Sequence, residues 1–519
     1  MFHSLFGDSE SRERNAELSA ITEATGTAYG PTRGRYWIVA ALFVTFLASL
    51  TPNLADLDIW HQMALAREAL RSGQLPLIDR FAYTPTLPRS VQHEWGSGLI
   101  AYLLVTRFGG TSILLLKYGI AAGILLLCML SAKNRGGGVR EIGVLTLLAI
   151  PLLAPALRAT IRAQAYSFLF FALLLFWIDK DRRGSRTWIF PWLLVSCLWV
   201  NLHAGVVVGI GILGVYWLEQ LLNRQPHRHL LTLLLAVLLA LDATPYGLEY
   251  YSYLRNALFM ARPAITEWES VLQGGTLLMF AFAACLSLAC ACFIRDWRSP
   301  GFSVILVTAL AGALHMRMLP FFAIACLCYL PGHLAMTPAW RWAERVTGNQ
   351  RPLLVSGLLI VSLATGASAC RQHFWEIVVP GPGAPISTTI YPVGAVDYLD
   401  RLEFKGNVMV PFELGAFVSW KLYPHVRVSV DSRYEVAYPE WLVARIGRFY
   451  DAAEDWKSTL AAYPTDLVLI PRTTLLADHF FQAGWTRIYT DRAFMLYANP
   501  VLSLPVVDRG DSILRGTFP

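Results

Sequence analysis

The sequence predicts an α-helical polytopic membrane protein of about eleven transmembrane helices, followed by a C-terminal extracytoplasmic α/β domain. Three observations carry this. Of 519 residues, 55% are hydrophobic and only 15% charged, with a mean hydropathy of +0.46, whereas a soluble chain carries about 25% charged residues. Long uncharged runs recur, among them YWIVAALFVTFLASL, GIAAGILLLCML, LLTLLLAVLLAL, LLMFAFAACLSLACACFI and LLVSGLLIVSLATGASA. Each is close to the roughly 20 apolar residues that cross about 30 Å of hydrocarbon. After the last of them, short β-rich runs alternate with amphipathic helices.

The first 35 residues are polar and weakly basic, unlike an ordinary signal peptide. Residues 1–35 therefore read as a cytoplasmic segment holding Arg12, Arg14, Arg33 and Arg35, and 36–52 as an uncleaved first span. Twelve apolar runs can be counted, and charge asymmetry selects eleven. The piece 96–108 has 13 residues, short for a span and suited to an interfacial or re-entrant helix. With it outside, 111–131 runs inward and delivers Lys133, Arg135 and Arg140 to the cytoplasm. Later inner loops then receive Lys180, Arg182, Arg183 and Arg186, then Arg224 and Arg228, Arg295 and Arg298, and Arg341, Arg345 and Arg351. That is the positive-inside pattern. The transmembrane domain so read covers 36–369, with an outer loop at 53–110, the N-terminus inside and the C-terminus outside.

PGPGAP at 380–385 is a linker signal. Beyond it NVMVPF, VRVSV, DLVLIP and FMLYA alternate with helices such as PEWLVARIGRFYDAAEDW. Residues 370–499 thus read as the α/β domain and 500–519 as a loose tail. The net charge of +7 is spread over short loops with no Lys/Arg tract, which argues against a nucleic-acid partner. Cys128, Cys197, Cys285, Cys290, Cys292, Cys326 and Cys328 lie in apolar runs as small hydrophobes, and Cys370 lies at a membrane edge. The Cys290/Cys292 and Cys326/Cys328 pairs lack His companions at zinc spacing.

Ionisable residues near membrane depth are costly and mark function or pairing. Here they gather on the outer side. The first outer loop holds Asp56, Asp58, His61, Asp79, His93 and Glu94, and the second turn holds Arg158 and Arg162. Asn201 and His203 form the third. The fourth holds Tyr246, Glu249, Arg255, Arg262, Glu267 and Glu269, and the fifth His315 and Arg317. Carboxylates, imidazoles and guanidiniums together suit holding a phosphate and moving a proton. Asp56 and Asp58 form an Asp-x-Asp pair just where the first span ends. Residues 59–72 follow as a short amphipathic helix with Ile59, Met63, Ala66 and Leu70 on one face, closed by Gly73. Such carboxylates can bind a divalent metal, orient an acceptor or act as a general base; an Asp N-cap on a surface helix explains either equally well. Each arginine either holds phosphate or pairs with a nearby carboxylate or headgroup. Asn201 and His203 either serve a site or hydrogen-bond between helices. Asp431, Arg433 and Tyr434, at the end of a probable strand, form either an acceptor-facing edge or a structural ion pair.

The order of these elements resembles the GT-C class of polytopic glycosyltransferases, and more narrowly a bacterial group whose first loop reads like DxDIWWH…G…P…D.FS/T……HEW. In this chain the pattern stands as Asp56, Asp58, Ile59, Trp60, His61, Gly73, Pro76, Asp79, Tyr83, Thr84, His93, Glu94 and Trp95. RAQAYSFLFFALLL, LWVNLHAGVVVG, TPYG, RMLPFFAI and the C-terminal GNVMVPFELGAFVSW, RVSVDSR and DLVLIP match further parts. His61 departs from the group, where a second aromatic stands. The resemblance implies a GT-C-like fold in a bacterial inner membrane. It implies inverting transfer of a hexosyl or pentosyl unit from a polyprenyl-phosphate sugar lipid to a lipid, glycan or protein acceptor. Asp58 or Asp56 would be the general base, and Glu94 or Asp79 a second carboxylate. Arg162, Arg317 and Arg158 would hold the donor phosphate. His203 and His315 would support that phosphate or a metal, and His61 and His93 the acceptor or a metal. A divalent cation is an open expectation with no ligand set assigned. A non-catalytic GT-C-like scaffold binding partner membrane proteins is the competing expectation. A transporter fits less well, since no inverted repeat is visible.

Overall fold

The computed structural model describes residues 33–260, 265–273, 276–294, 301–347, 351–372, 374–381, 390–452, 456–510, 512, 514 and 516–519. Arg12, Arg14, Arg262, Arg295, Arg298 and residues 382–385 of the linker lie outside the described residues.

The chain is mostly helical. Helix α1 (Arg33–Ala48) leads through strand β1 (Asn53–Leu54) to α2 (Leu57–Ser72) and α3 (Trp95–Phe108). Then come α4 (Thr111–Asn134), α5 (Val139–Arg158), α6 (Gln164–Arg182), α7 (Ile189–Leu202), α8 (Val206–Leu222), α9 (Arg228–Ala240) and α10 (Glu249–Phe259). A 3-10 turn (Thr266–Trp268) precedes α11 (Leu277–Ile294) and α12 (Phe302–Leu314), and a second (Met316–Met318) precedes α13 (Leu319–Met336). Helices α14 (Pro338–Thr347) and α15 (Arg351–Arg371) complete this part.

Among the described residues, four helical stretches are long and apolar enough to cross a membrane: Thr111–Asn134, Val139–Arg158, Met316–Met336 and Leu353–Arg371. Six other apolar helices run only 10–17 residues, or about 15–26 Å at 1.5 Å per residue, short of the roughly 30 Å hydrocarbon core. Helix α13 is buried on every side from Leu319 to Leu334, as expected of a helix apolar all round and enclosed by others. Helix α15 is the opposite, leaving Leu353, Ile360 and Leu363 exposed as a surface suited to lipid.

The C-terminal part begins with β2 (Ile377–Val378), which pairs in parallel with β1. It continues through α16 (Val393–Arg401), β3 (Gly406–Met409), α17 (Gly415–Leu422), β4 (Val426–Val428), α18 (Tyr434–Ala437), α19 (Glu440–Tyr450) and α20 (Trp456–Ala462). Then follow β5 (Leu467–Pro471), α21 (Leu476–Gln482), β6 (Thr486–Thr490), β7 (Phe494–Ala498) and β8 (Val507–Asp508). The sheet order is β4-β3-β5-β7-β6-β8. Strands β4, β3 and β5 are parallel and joined by helices, while β7 runs antiparallel between β5 and β6.

Two expectations change here. Helix α2 is not a surface helix with one apolar face. It lies between α3 and α17, so Trp60 is fully buried, edge-on to Tyr391 at 5.7 Å and Phe417 at 5.1 Å, while Leu70 is exposed. The tail is not loose along its described length. Strand β8 pairs with β6, and the Phe518 ring lies 5.3 Å from Trp60, because the apolar residues Val507 and Phe518 find partners on the domain.

Candidate functional site

A small platform at one end of the helices presents the Asp-x-Asp pair and Arg162 together. Strand β1 pairs with β2 and bridges to Ala159, with Thr160 N–H donating to Leu54 O at 2.8 Å. Asp56 N–H in turn donates to Thr160 Oγ1 at 2.8 Å. Asp56 is also the N-cap of α2, its Oδ1 accepting from Asp58 N–H at 3.0 Å. A cap of this kind is worth about 1 kcal/mol. The cap explanation of the motif therefore applies to Asp56, yet the same carboxylate faces Arg162, with Oδ2 3.2 Å from Nε.

Arg162 is the centre of the arrangement. Its Nη2 lies 3.4 Å from Asp58 Oδ2, and its Nη1 donates to Glu267 Oε1. The other oxygen of Glu267 is 3.7 Å from Arg317 Nη1. Burial pushes the Asp56 carboxyl up to about 7, opposed by Arg162 and reinforced by Asp58 and Glu267. Burial would raise Glu267 too, but Arg162 and Arg317 outweigh it and hold that carboxyl below its ordinary value. Arg317 is steadied by the Trp268 ring, 5.7 Å from its Cζ. His315 Nδ1–H donates to Trp268 O at 2.8 Å, so His315 holds the turn that carries Glu267 and does not join the ion cluster.

Beside it lies a second cluster around Glu94. Gln62 Nε2–H donates to Glu94 Oε2 at 2.6 Å, while His93 Nε2 and His203 Nε2 approach Oε1 at 3.4 and 3.6 Å. His203 Nδ1 accepts from Gly205 N–H at 2.9 Å, which assigns the ring proton to Nε2, facing Glu94. Ser167 Oγ, 2.8 Å from the same Nδ1, accepts from Trp199 Nε1–H at 2.7 Å. Burial pushes His203 down to about 3, so it is neutral. Burial alone would raise Glu94, but His93 and His203 outweigh it and hold the carboxyl below its usual range. His93 Nδ1 is 2.7 Å from Tyr253 OH. His61 lies between the first cluster and the turn after β4: Nδ1 is 3.0 Å from Ser432 Oγ and 4.0 Å from Asp58 Oδ1. Burial lowers the His61 pKa.

The remaining candidates fall elsewhere. Asp79 is fully buried, 2.5 Å from Arg433 Nη1, with Oδ2 accepting from Phe81 and Ala82 N–H. Arg433 also grips Asp431, at 2.6 Å from Nη2 to Oδ2. Asp431, Arg433 and Asp79 thus form a buried ion triad that ties the turn after β4 to the loop after α2, not an acceptor edge. Arg158 is exposed, with Nη2 3.4 Å from Ser49 O, while its carbonyl accepts from Lys117 Nζ at 2.6 Å, so it stands outside both clusters. Asn201 braces helices, accepting from Trp95 Nε1 and donating to Cys197 O and Ala243 O.

Sequence reasoning missed Gln62, Ser167, Trp199 and Tyr253, and left Glu267 as one acid among several in its loop. The only local signal was Gly205, where a Cβ would collide with Ser167 Oγ and His203 Nδ1. The expected one-sidedness of the polar residues also changes. At the far end of α6, Asp181 accepts from Arg186, Trp188 and Tyr216 at 2.6–2.9 Å, and Arg182 pairs with Glu219 at 2.6 Å. Acids absent from a reading based on basic loops are plentiful there.

A divalent cation does not fit the Asp-x-Asp pair as it stands, since the Arg162 guanidinium fills the position between the two carboxylates where a cation would sit. Among the described residues no group of three or more His, Cys, Asp or Glu is arranged as a metal shell. No protein-family model matches the chain, and no curated protein matches it.

Proposed function

We propose that the chain is an eleven-span membrane glycosyltransferase of a bacterial inner membrane, moving a sugar from a polyprenyl-phosphate donor to an extracytoplasmic acceptor. The observation that carries this reading is Arg162, joined to Asp56, Asp58 and Glu267, with Arg317 one carboxylate away. Two guanidiniums suit the oxygens of a phosphate and offset the charge that develops on it as the sugar departs. Asp58 is the more solvent-accessible of the Asp-x-Asp carboxylates, 28% against 11%, and is free of the capping bond. It is therefore the better general base for an acceptor hydroxyl. Glu94, anchored by Gln62 and faced by His203, positions that acceptor. The helix count rests on the alternation of basic loops, which puts Asp56, Glu94, His203 and Arg317 on the outer side.

The test is transfer by Asp58→Asn in membranes supplied with polyprenyl-phosphate sugars. A loss of 100-fold or more, the low end of general-base effects, is expected with insertion and melting unchanged. Wild-type transfer by that variant overturns the assignment. One observation favours a non-catalytic scaffold: Arg162 is already saturated by three carboxylates. Under that reading the wild-type protein transfers nothing and co-purifies in a stable complex.

A further inference from the structure

Glu267 differs from the other acids around Arg162. Its two oxygens serve two guanidiniums, Oε1 on Arg162 and Oε2 toward Arg317. We propose that Arg162 and Arg317 form a binding site for a phosphoryl group, and that Glu267 is its internal occupant, displaced by side-chain rotation when the phosphoryl group arrives. The inference rests on the proposed donor only for the source of that group.

The charge balance favours a displacement. Asp58 and Glu267 already match Arg162 and Arg317, and Asp56, pushed up to about 7 by burial, adds only part of a further negative charge. A further anion enters such a cluster only if a carboxylate leaves or takes up a proton. Asp56 is fixed as a helix cap, and Asp58 lies in the first turn of α2. Glu267 is the most exposed of the three at 38%, and its approach to Arg317, 3.7 Å, is longer than a hydrogen bond.

The turn itself need not move. Met316 N–H donates to Glu269 O at 2.9 Å, and His315 Nδ1–H to Trp268 O at 2.8 Å, so the two residues just before Arg317 hold the segment that carries Glu267. Once the carboxylate swings out, Arg162 remains fixed by Asp56 and Asp58, and Arg317 by Trp268. Arg162 Nη1 and Arg317 Nη1 then face the space the carboxylate has left, and a phosphoryl group offers oxygens to both.

The experiment uses the full-length protein in detergent, titrated with farnesyl phosphate and with inorganic phosphate by calorimetry. Glu267→Gln removes the internal competitor's charge and should bind farnesyl phosphate about tenfold more tightly, the factor equivalent to one charge-assisted hydrogen bond released from competition. Glu267→Asp, shorter by one methylene, should tighten binding by a smaller factor, which provides a second reading if the Gln variant folds poorly. Adding Arg317→Ala should abolish the gain. A gain with both probes supports a site for the phosphoryl group itself, and a gain confined to farnesyl phosphate supports one for a lipid-borne phosphoryl group. Unchanged or weaker binding by well-folded Glu267 variants overturns the proposal. Tighter binding without sugar transfer from any donor overturns the proposed function alone, and wild-type transfer without tightening overturns this inference alone.

Discussion

The two ends of helix α6 make opposite uses of the same chemistry. They lie about 27 Å apart at 1.5 Å per residue. At the far end, Asp181 is 2% exposed and accepts from Arg186 at 2.6 Å, Tyr216 at 2.8 Å, Trp188 at 2.9 Å and His229 at 3.1 Å. Nearby, Glu219 takes Arg182 and Ser303, both at 2.6 Å. Each carboxylate oxygen of Asp181 and Glu219 has short, enclosed partners. At the near end, Arg162 is shared among three carboxylates that are 11–38% exposed, with contacts to Asp56, Asp58 and onward to Arg317 of 3.2–3.7 Å. A buried, fully bonded carboxylate is a clamp, because removing one partner leaves charges stranded. A more exposed carboxylate loses less when it turns away to solvent. The difference sets a structural ion network apart from the candidate site.

The largest effect should follow from breaking the clamp. Asp181→Ala strands Arg186, Trp188, Tyr216 and His229 and should cost about 3–5 kcal/mol. The expected result is loss of monodisperse protein on detergent extraction; a melting curve like that of wild type would mean the far end is not a clamp. Asp58→Asn should instead abolish transfer while its melting temperature stays at the wild-type value. Gly205→Ala should be intermediate. Its new Cβ collides with Ser167 and His203, so about 1–3 kcal/mol of stability is lost, together with the orientation of His203 toward Glu94. Differential scanning fluorimetry and a transfer assay on one preparation separate the two effects.

A fourth effect is a pH dependence. Folded Asp56 keeps its proton up to about 7, whereas the unfolded carboxyl releases it near 3.8. Between those values the folded state binds more protons, so this group's contribution to stability falls as pH rises from about 4 to 7 and is flat above. Asp56→Asn should remove that slope from the wild-type curve of melting temperature against pH. Identical slopes in both proteins would show that Asp56 ionises normally.

Much of this arrangement was legible in the sequence where the signal was local. The apolar run expected at 111–131 is the core of α4, Gly73 closes α2 in the left-handed conformation, and the Asp-x-Asp pair opens α2 as a cap. The parallel strands fall on NVMVPF, VRVSV and DLVLIP. Features that depend on distant partners were not legible. Asp79 looked like a site acid because Arg433, which buries it, lies in the other domain. Helix α2 looked half-exposed because its cover, Tyr391 and Phe417, arrives more than three hundred residues later. Glu267 carries no mark in its own loop that it bridges two arginines. At the far end, Asp179, Asp181 and Glu219 were overlooked because charge asymmetry counts basic residues and says nothing of the acids they pair with.

The central claim is that the Arg162 cluster exchanges its partners while the Asp181 cluster does not. A cryo-electron microscopy map of the detergent-purified protein with farnesyl phosphate tests it most directly. The account predicts phosphoryl density within hydrogen-bond distance of Arg162 and Arg317, Glu267 rotated away, and the Asp181 contacts unmoved. A map with Glu267 still bridging the two guanidiniums and the phosphate bound elsewhere would contradict it.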